Sequence, residues 1–64
     1  MERLFDVIEV RFAKPRTVRL IDTRKTERNA EAIINMAVMR RGVETSFYTT
    51  VPAGKFKDGD KYRG

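Results

Sequence analysis

The fold is decided by residues 26–42, which read TERNAEAIINMAVMRRG. Apolar side chains recur every three or four residues between Ala30 and Val38, which is typical of one face of an amphipathic helix. Thr26 suits the N-cap position, where a side-chain oxygen accepts a bond from a free backbone N–H, and Gly42 suits the left-handed position after the last turn. The sequence therefore predicts one helix that begins near Glu27 and ends before Gly42.

The segments around the helix alternate apolar and polar residues, which is typical of half-buried strands. We predict strands at 4–12, 17–22 and 43–51, with a proline-containing turn at 13–16 that makes the first two strands a hairpin. In the first strand one face carries the apolar residues Leu4, Ile8, Val10 and Phe12. The predicted core is therefore on this face.

The element order β-β-α-β predicts an α+β fold, in which a small antiparallel sheet carries one helix packed on one face and leaves the other face largely bare. We assign residues 1–51 to a compact domain and 52–64 to a basic Gly/Lys/Asp tail. For the tail, a short C-terminal hairpin around Asp58-Gly59 and disorder both stay open. A chain of 64 residues without cysteine builds only a small core, so a homodimer is also open.

The formal charge of +5 lies entirely between Arg11 and Arg28, where seven basic residues face two acidic ones. Such a segment favours binding to a polyanion or an acidic protein surface, because it attracts negative charge over long range. The candidate contact residues are Arg11, Lys14, Arg16, Arg19, Arg24, Lys25 and Arg28. In the tail, Phe56 and Tyr62 are each flanked by cations, which suits stacking on single-stranded bases; packing on the domain is the alternative.

Enzymatic chemistry has little support. Histidine and cysteine are both absent, which excludes the commonest base at neutral pH, the thiolate nucleophile and most zinc sites. No glycine has the spacing of a phosphate-binding loop. We expect no catalytic residue, no metal and no cofactor. With no long apolar stretch, we also expect a protein without membrane association, in the cytoplasm.

The helix offers a second candidate contact surface. Met36 and Met39 lie opposite the apolar stripe, and exposed methionines are typical of partner or dimer contacts. Arg40 and Arg41 would form a polar rim around them. The alternative is that the segment after Val51 folds over the two methionines.

The runs Arg28–Ala32, Met36–Glu44 and Phe47-Tyr48 resemble a block in short uncharacterised proteins of tailed phages, and together they cover roughly a quarter to a third of the chain. That resemblance implies no role for any particular residue. The size and the β-β-α-β order are also similar to small phage inhibitors of host RNA polymerase or CRISPR complexes, although architecture alone does not establish function.

Three functional hypotheses follow. The first is a non-enzymatic phage-type accessory protein that binds and modulates or inhibits a host nucleic-acid machine, RNA polymerase or a CRISPR or defence complex, in the host cytoplasm. Its basic hairpin would bind the host protein or nucleoprotein complex, and the helix methionines or a sheet edge would add specificity. The second is a direct DNA- or RNA-binding protein that uses the same hairpin. The third is a small structural or assembly protein whose sheet edges pair with other copies.

Overall fold

The computed structural model describes residues 3–42 and 44–62. Its elements follow the chain in the order β1 (Phe5–Arg11), β2 (Val18–Lys25), α1 (Glu27–Arg41) and β3 (Ser46–Pro52). The three strands form one antiparallel sheet with the order β2-β1-β3. The predicted α+β fold and its element order are confirmed. Val43, the predicted start of the third strand, lies outside the described residues.

The helix begins and ends where its capping residues are. The Thr26 hydroxyl accepts a bond of 3.4 Å from the Asn29 N–H, which satisfies one of the free donors of the first turn. Gly42 has φ +72°, a conformation that favours glycine, and its N–H donates to the Val38 carbonyl at 2.8 Å. Local sequence therefore determines both ends of α1.

Strand β2 runs to Lys25, beyond the predicted end at Asp22, because it accommodates two irregularities opposite β1. The pairing shifts by one residue between Ile8 and Val7 and again between Val7 and Phe5. Near the second shift Arg24 has φ +51°, an uncommon conformation for a residue with a side chain. These bulges let β2 bend and continue along the first half of β1.

The prediction that the helix covers the face with Ile8 and leaves the other face bare is wrong. Val7 is completely buried on the opposite face of the sheet, which also carries Glu9 of β1 and Tyr48 of β3. Helix α1 lies over this second face, where Ile33 and Ala37 line a groove together with Tyr48. Phe5 and Val7 interrupt the polar side of the strand in the sequence, and the burial of Val7 shows that β1 packs on both faces here.

The face with Ile8 is covered by the segment that follows β3. Phe56 and Tyr62 pack against the cluster on this face, which also includes the partly buried Leu20 and Phe47. The buried members of the cluster are Ile8, Val10, Val18 and Val51. Residues 53–62 therefore pack on the same sheet as the strands of the assigned domain 1–51. Residues 63 and 64 of the assigned tail 52–64 lie outside the described part of the chain, as do residues 1 and 2.

A turn forms at Asp58-Gly59, but its two arms do not pair with each other as the hairpin alternative required. The Asp60 N–H donates to the Lys57 carbonyl at 3.0 Å, and Gly59 has φ +91°. The second arm instead pairs with the residue just before β2, where Lys61 lies opposite Thr17 in an antiparallel bridge. The outer edge of β2 therefore has a short extra partner.

The buried carboxylate of Asp6 in β1 forms hydrogen bonds with both β2 and the C-terminal segment. Asp6 is only 3% exposed, and it lies on the same face as Ile8. Its Oδ1 accepts a bond of 3.0 Å from the Arg24 N–H, and its Oδ2 accepts one of 3.0 Å from the Gly54 N–H. A buried carboxylate needs such donors to offset its lost hydration. Asp6 thus connects the bulge of β2 with the beginning of the C-terminal segment.

Candidate nucleic-acid interface

Basic side chains of the β1–β2 turn and of the C-terminal segment meet at the end of the sheet that carries this turn. Lys14 and Arg16 are exposed in this turn, and the bridge with Thr17 brings the exposed Lys61 beside them. The Tyr62 N–H donates to the Arg16 carbonyl at 2.8 Å, which holds the C-terminal segment against the turn. A groove of about 730 Å³ results, lined by Lys14, Pro15, Arg16, Lys61 and Tyr62.

Two further arginines extend this surface along the strands. Arg11 and Arg19 are exposed on the face that α1 covers further along the sheet. They belong to the last rows of the sheet before the turn, where Arg19 lies opposite Glu9 and Arg11 lies opposite Ser46. We name this set the basic end, and its members are Arg11, Lys14, Arg16, Arg19 and Lys61.

Glu9 is the acidic residue within these rows, and two hydroxyl groups hold it. Its Oε2 accepts a bond of 2.7 Å from the Ser46 hydroxyl and one of 3.2 Å from the Tyr48 hydroxyl. The carboxylate is therefore engaged with β3, while the cross-strand neighbour Arg19 is exposed to solvent. Two further acids lie beside the basic end: the Asp58 carboxylate accepts a bond from the Leu20 N–H, and Asp60, which precedes Lys61, accepts one from the Val18 N–H through its carbonyl. The five cations of the basic end therefore keep a smaller excess of positive charge over the three acids.

The other predicted contact residues lie elsewhere. Arg24 and Lys25 are at the opposite end of β2, where Lys25 pairs with Phe5, and Arg28 is in the first turn of α1. At about 3.3 Å per residue, the length of β2 separates this group from the basic end by roughly 20 Å. Lys25 also forms an ion pair with Asp22, with 3.6 Å between Nζ and Oδ1. The structure thus divides the seven cations into two groups.

The two predicted stacking residues belong to a run of aromatic rings. Neighbouring rings of the run have centroids 5.7 Å apart in each of three pairs, in the order Phe12, Phe47, Tyr62 and Phe56. Phe56 is half-buried in the core and has the Lys55 ammonium 5.7 Å from its ring centroid, whereas Tyr62 both packs on the core and lines the groove. Phe12, which is 46% exposed, ends the run at the basic end.

The methionine surface is open in the described part of the molecule. Met36 is 54% exposed and Met39 is 86% exposed. The segment after β3 packs on the other face of the sheet, so it does not cover them. Met36 lines a groove of about 280 Å³ between the last turns of α1 and the sheet, and the other lining residues are Ile21, Ile33, Ala37, Arg40, Arg41 and Tyr48.

Some contributors to this site were missed in the sequence. Lys61 belongs to a different segment from the hairpin, and only its pairing with Thr17 brings it to the basic end. Phe12 was assigned to the core because it alternates with Ile8 and Val10, but it lies at the margin of that face. Asp6 also lies on this face of β1. An acidic residue among apolar ones indicates a buried carboxylate that accepts hydrogen bonds, and this signal was available in the sequence.

Residues 3–42 and 44–62 contain no group of three acidic, histidine or cysteine side chains placed to hold a metal ion. Within the same residues no helix has the length and apolar character needed to cross a membrane. Comparison of the chain with protein-family models, with curated proteins and with solved structures finds no match. The resemblance to short tailed-phage proteins therefore stays a prediction.

Proposed function

We propose that the protein is a non-enzymatic accessory protein that binds a nucleic-acid machine of a host cell through its basic end and inhibits it mole for mole. The observation that supports this most is the cluster of five exposed cations at the end of the sheet that carries the turn. Lys14, Arg16 and Lys61 line one groove there, and Arg11 and Arg19 lie in the adjoining last rows of β1 and β2. Phosphates or clustered carboxylates on the machine would complement this surface. The phage setting is taken from the resemblance in residues 28–48.

Such a surface would increase the rate of association with negatively charged partners and favour them over other proteins. A concentrated positive field steers negatively charged partners and can raise association rates by about ten- to a thousandfold at low salt. The methionine surface and its neighbouring arginines lie on the second half of α1, and they would add apolar contacts after the first encounter. Specificity for one machine would then come from the helix, and attraction from the basic end.

A pull-down from a bacterial lysate tests this proposal with charge-matched variants. The tagged protein is compared with Lys14→Glu/Arg16→Glu at the basic end and with Arg24→Glu/Arg28→Glu at the opposite end of the sheet. Both double variants change the net charge by the same amount, and all four side chains are exposed. Nuclease-treated lysate at moderate salt shows whether capture depends on nucleic acid.

We expect the wild type and the Arg24→Glu/Arg28→Glu variant to retain the same discrete host proteins after nuclease treatment, while the Lys14→Glu/Arg16→Glu variant loses them. Equal loss in both variants would contradict the proposal, since it would mean that total charge, and not the basic end, causes binding. Thermal unfolding of each variant serves as the control for folding.

Direct binding of single-stranded DNA or RNA is the second candidate, and the position of Tyr62 favours it. This ring lines the cationic groove, and the half-exposed Phe12 lies in the same aromatic run. Cations that follow a phosphate backbone beside aromatic rings are typical of single-strand binders. If all five cations of the basic end contact phosphates, log K should fall with log salt with a slope of about −3.5.

Fluorescence anisotropy with a labelled oligonucleotide distinguishes the two candidates. Under direct binding, Lys14→Glu/Arg16→Glu should flatten the salt slope by about 1.4, because two phosphate contacts are lost. Phe12→Ala should weaken binding by about 1–3 kcal/mol without changing that slope. A salt slope near zero, or equal effects of the Arg24→Glu/Arg28→Glu variant, would exclude direct binding at the basic end.

A further inference from the structure

The space between the second half of α1 and the sheet is incompletely filled. Of the helix residues 27–41, all within the described part of the chain, only Ala30 is buried, while Ile33 and Ala37 are half-buried. Protein interiors normally contain few voids larger than a water molecule. Here a groove of about 280 Å³ stays open between helix and sheet. The apolar layer under α1 therefore has room for a further group.

Most of the groove wall is apolar. The lining residues without charge are Ile21, Ile33, Met36, Ala37 and Tyr48. The Tyr48 hydroxyl already donates to the Glu9 carboxylate at 3.2 Å, so this residue contributes its ring to the wall while its polar atom is engaged. An apolar chain that enters the groove would therefore cover apolar surface without breaking that bond.

Two arginines of the last turn of α1 complete the lining. Arg40 and Arg41 are exposed, and none of the residues that line the groove is acidic. Glu9 is beside the groove through its bond to Tyr48, and Glu44 follows α1 by three residues, but neither lines it. Two guanidinium groups also exceed the partial negative charge of a helix C-terminus, about half an elementary charge. The groove is thus complementary to a ligand with an apolar body and an anionic head.

We propose that this groove binds a small anionic amphiphile, whose single apolar chain lies between α1 and the sheet and whose carboxylate or phosphate head contacts Arg40 and Arg41. Ligand sites combine a mostly apolar lining with a few polar groups that fix the orientation of the ligand. Drug-sized ligands occupy pockets of about 300–1,000 Å³, so a groove of about 280 Å³ suits a smaller molecule such as a fatty acid of medium chain length. Guanidinium groups bind both carboxylates and phosphates through paired hydrogen bonds.

The proposed ligand site goes beyond the proposed function. Met36 and the two arginines also belong to the surface that would contact the host machine, so a bound amphiphile would compete with that contact. Binding of the amphiphile itself requires only the groove and its cationic rim.

Titration with short-chain amphiphiles tests the site, with the methyl signals of ¹³C-labelled methionine as the readout. The probes are hexanoate, octanoate, decanoate, octyl phosphate, octanol and octyltrimethylammonium, each below the concentration at which it forms micelles. The Met36 methyl should shift because it lines the groove, whereas the Met39 methyl, on a side chain that is 86% exposed and outside the lining, should shift much less.

The dependence of Kd on chain and head separates the two parts of the ligand. Each methylene that enters the groove should tighten Kd by up to about fourfold, until the groove is full. Because both arginines are exposed, octanoate should bind only about two- to fivefold tighter than octanol. The tighter binder of octanoate and octyl phosphate identifies the preferred head. Equal affinity for octanoate, octanol and octyltrimethylammonium, or no shift of Met36, would overturn the proposal.

A matched pair of alanine variants locates the chain. Ala37→Leu fills the groove, and Ala32→Leu makes the same change at an exposed helix position that does not line it. We expect Ala37→Leu to weaken octanoate binding by about tenfold or more, since at least two methylenes lose their place, and Ala32→Leu to bind like the wild type. Equal binding by both variants would contradict the proposal. Thermal unfolding of each variant is the control for folding.

Arginine variants test the head without entering the core. Arg40→Gln/Arg41→Gln should weaken octanoate by about two- to fivefold and leave octanol unchanged, whereas Arg24→Gln/Arg28→Gln, with the same change in net charge, should affect neither. A Met36 signal that moves with protein concentration before any ligand is added would show that a second copy fills the groove, and would overturn the proposal. No nucleic acid or host protein is present in these experiments, so their outcome is independent of the proposed function.

Discussion

Replacing Asp6 by alanine should destabilise the protein far more than replacing an exposed aspartate. Asp6→Ala removes the acceptor of two part-buried bonds, from the N–H groups of Arg24 and Gly54. Each buried donor left without a partner costs about 1–3 kcal/mol. Two such donors would cost about 2–6 kcal/mol together. Since both bonds are only part-buried and water can reach them in part, we expect a total loss near the lower end of this range, about 2–3 kcal/mol.

This loss is large for so small a domain. At about 0.05–0.15 kcal/mol per residue, a chain of 64 residues has a free energy of unfolding of about 3–10 kcal/mol. With a urea m-value of about 1 kcal/mol/M, the loss would lower the unfolding midpoint by about 2–3 M. Urea titration followed by far-ultraviolet circular dichroism measures this shift.

Asp58→Ala is the matched control, because it also removes one negative charge and one bond to a backbone N–H, that of Leu20. Asp58 is exposed, so water replaces the lost bond and we expect a loss of about 0.5–1 kcal/mol. If Asp6→Ala leaves too little folded protein to titrate, Asp6→Asn keeps one acceptor and should lie between the two. Equal losses for Asp6→Ala and Asp58→Ala would refute the assigned role of Asp6.

Three further predictions test other parts of the structure. Val7→Thr preserves size but buries a hydroxyl under α1, so the free energy of unfolding should fall by about 1–3 kcal/mol; a neutral result in urea titration would mean that this face is bare. Thr26→Ala removes the N-cap, and because the bond to Asn29 is long, 3.4 Å, thermal unfolding should show a loss near the lower limit of about 0.5–2 kcal/mol. Met36→Gln/Met39→Gln should change stability by less than about 0.5 kcal/mol per site, since both side chains are mostly exposed; a loss of several kcal/mol would show that they are buried.

The parts of the fold that depend on neighbouring residues could be predicted from the sequence. The helix bounds follow from Thr26 and Gly42, and the order of elements follows from the change in apolar period. The prediction of which face α1 covers was wrong because β1 carries apolar residues on both faces near Phe5 and Val7. The face with the more regular apolar pattern was taken to be the only buried face. Two-sided burial has no periodic signal that separates it from an interrupted alternation.

The sequence predicted which kinds of residue form the candidate site, but not how all of them are arranged in space. Lys14 and Arg16 were expected in an exposed turn, and the structure has them there. The separation from Arg24 and Arg28 follows from the extended geometry of β2, which turns a short distance in sequence into about 20 Å in space. The arrival of Lys61 depends on hydrogen bonds between segments more than 40 residues apart, and no local pattern encodes such a contact.

The bonds made by residues 53–62 have a consequence for how the protein folds during synthesis. The Ala53 N–H reaches the Leu4 carbonyl, and the Tyr62 N–H reaches the Arg16 carbonyl, so the first strands complete their contacts only with residues made much later. Until β3 is made, β1, the central strand, has one neighbour, and until residues 53–62 are made its face with Ile8 stays uncovered. Contacts this distant in sequence slow folding and leave strands exposed to aggregation. A ribosome-bound chain that stops before Lys55 should therefore remain sensitive to proteases, and protection should appear only after residue 62 has emerged.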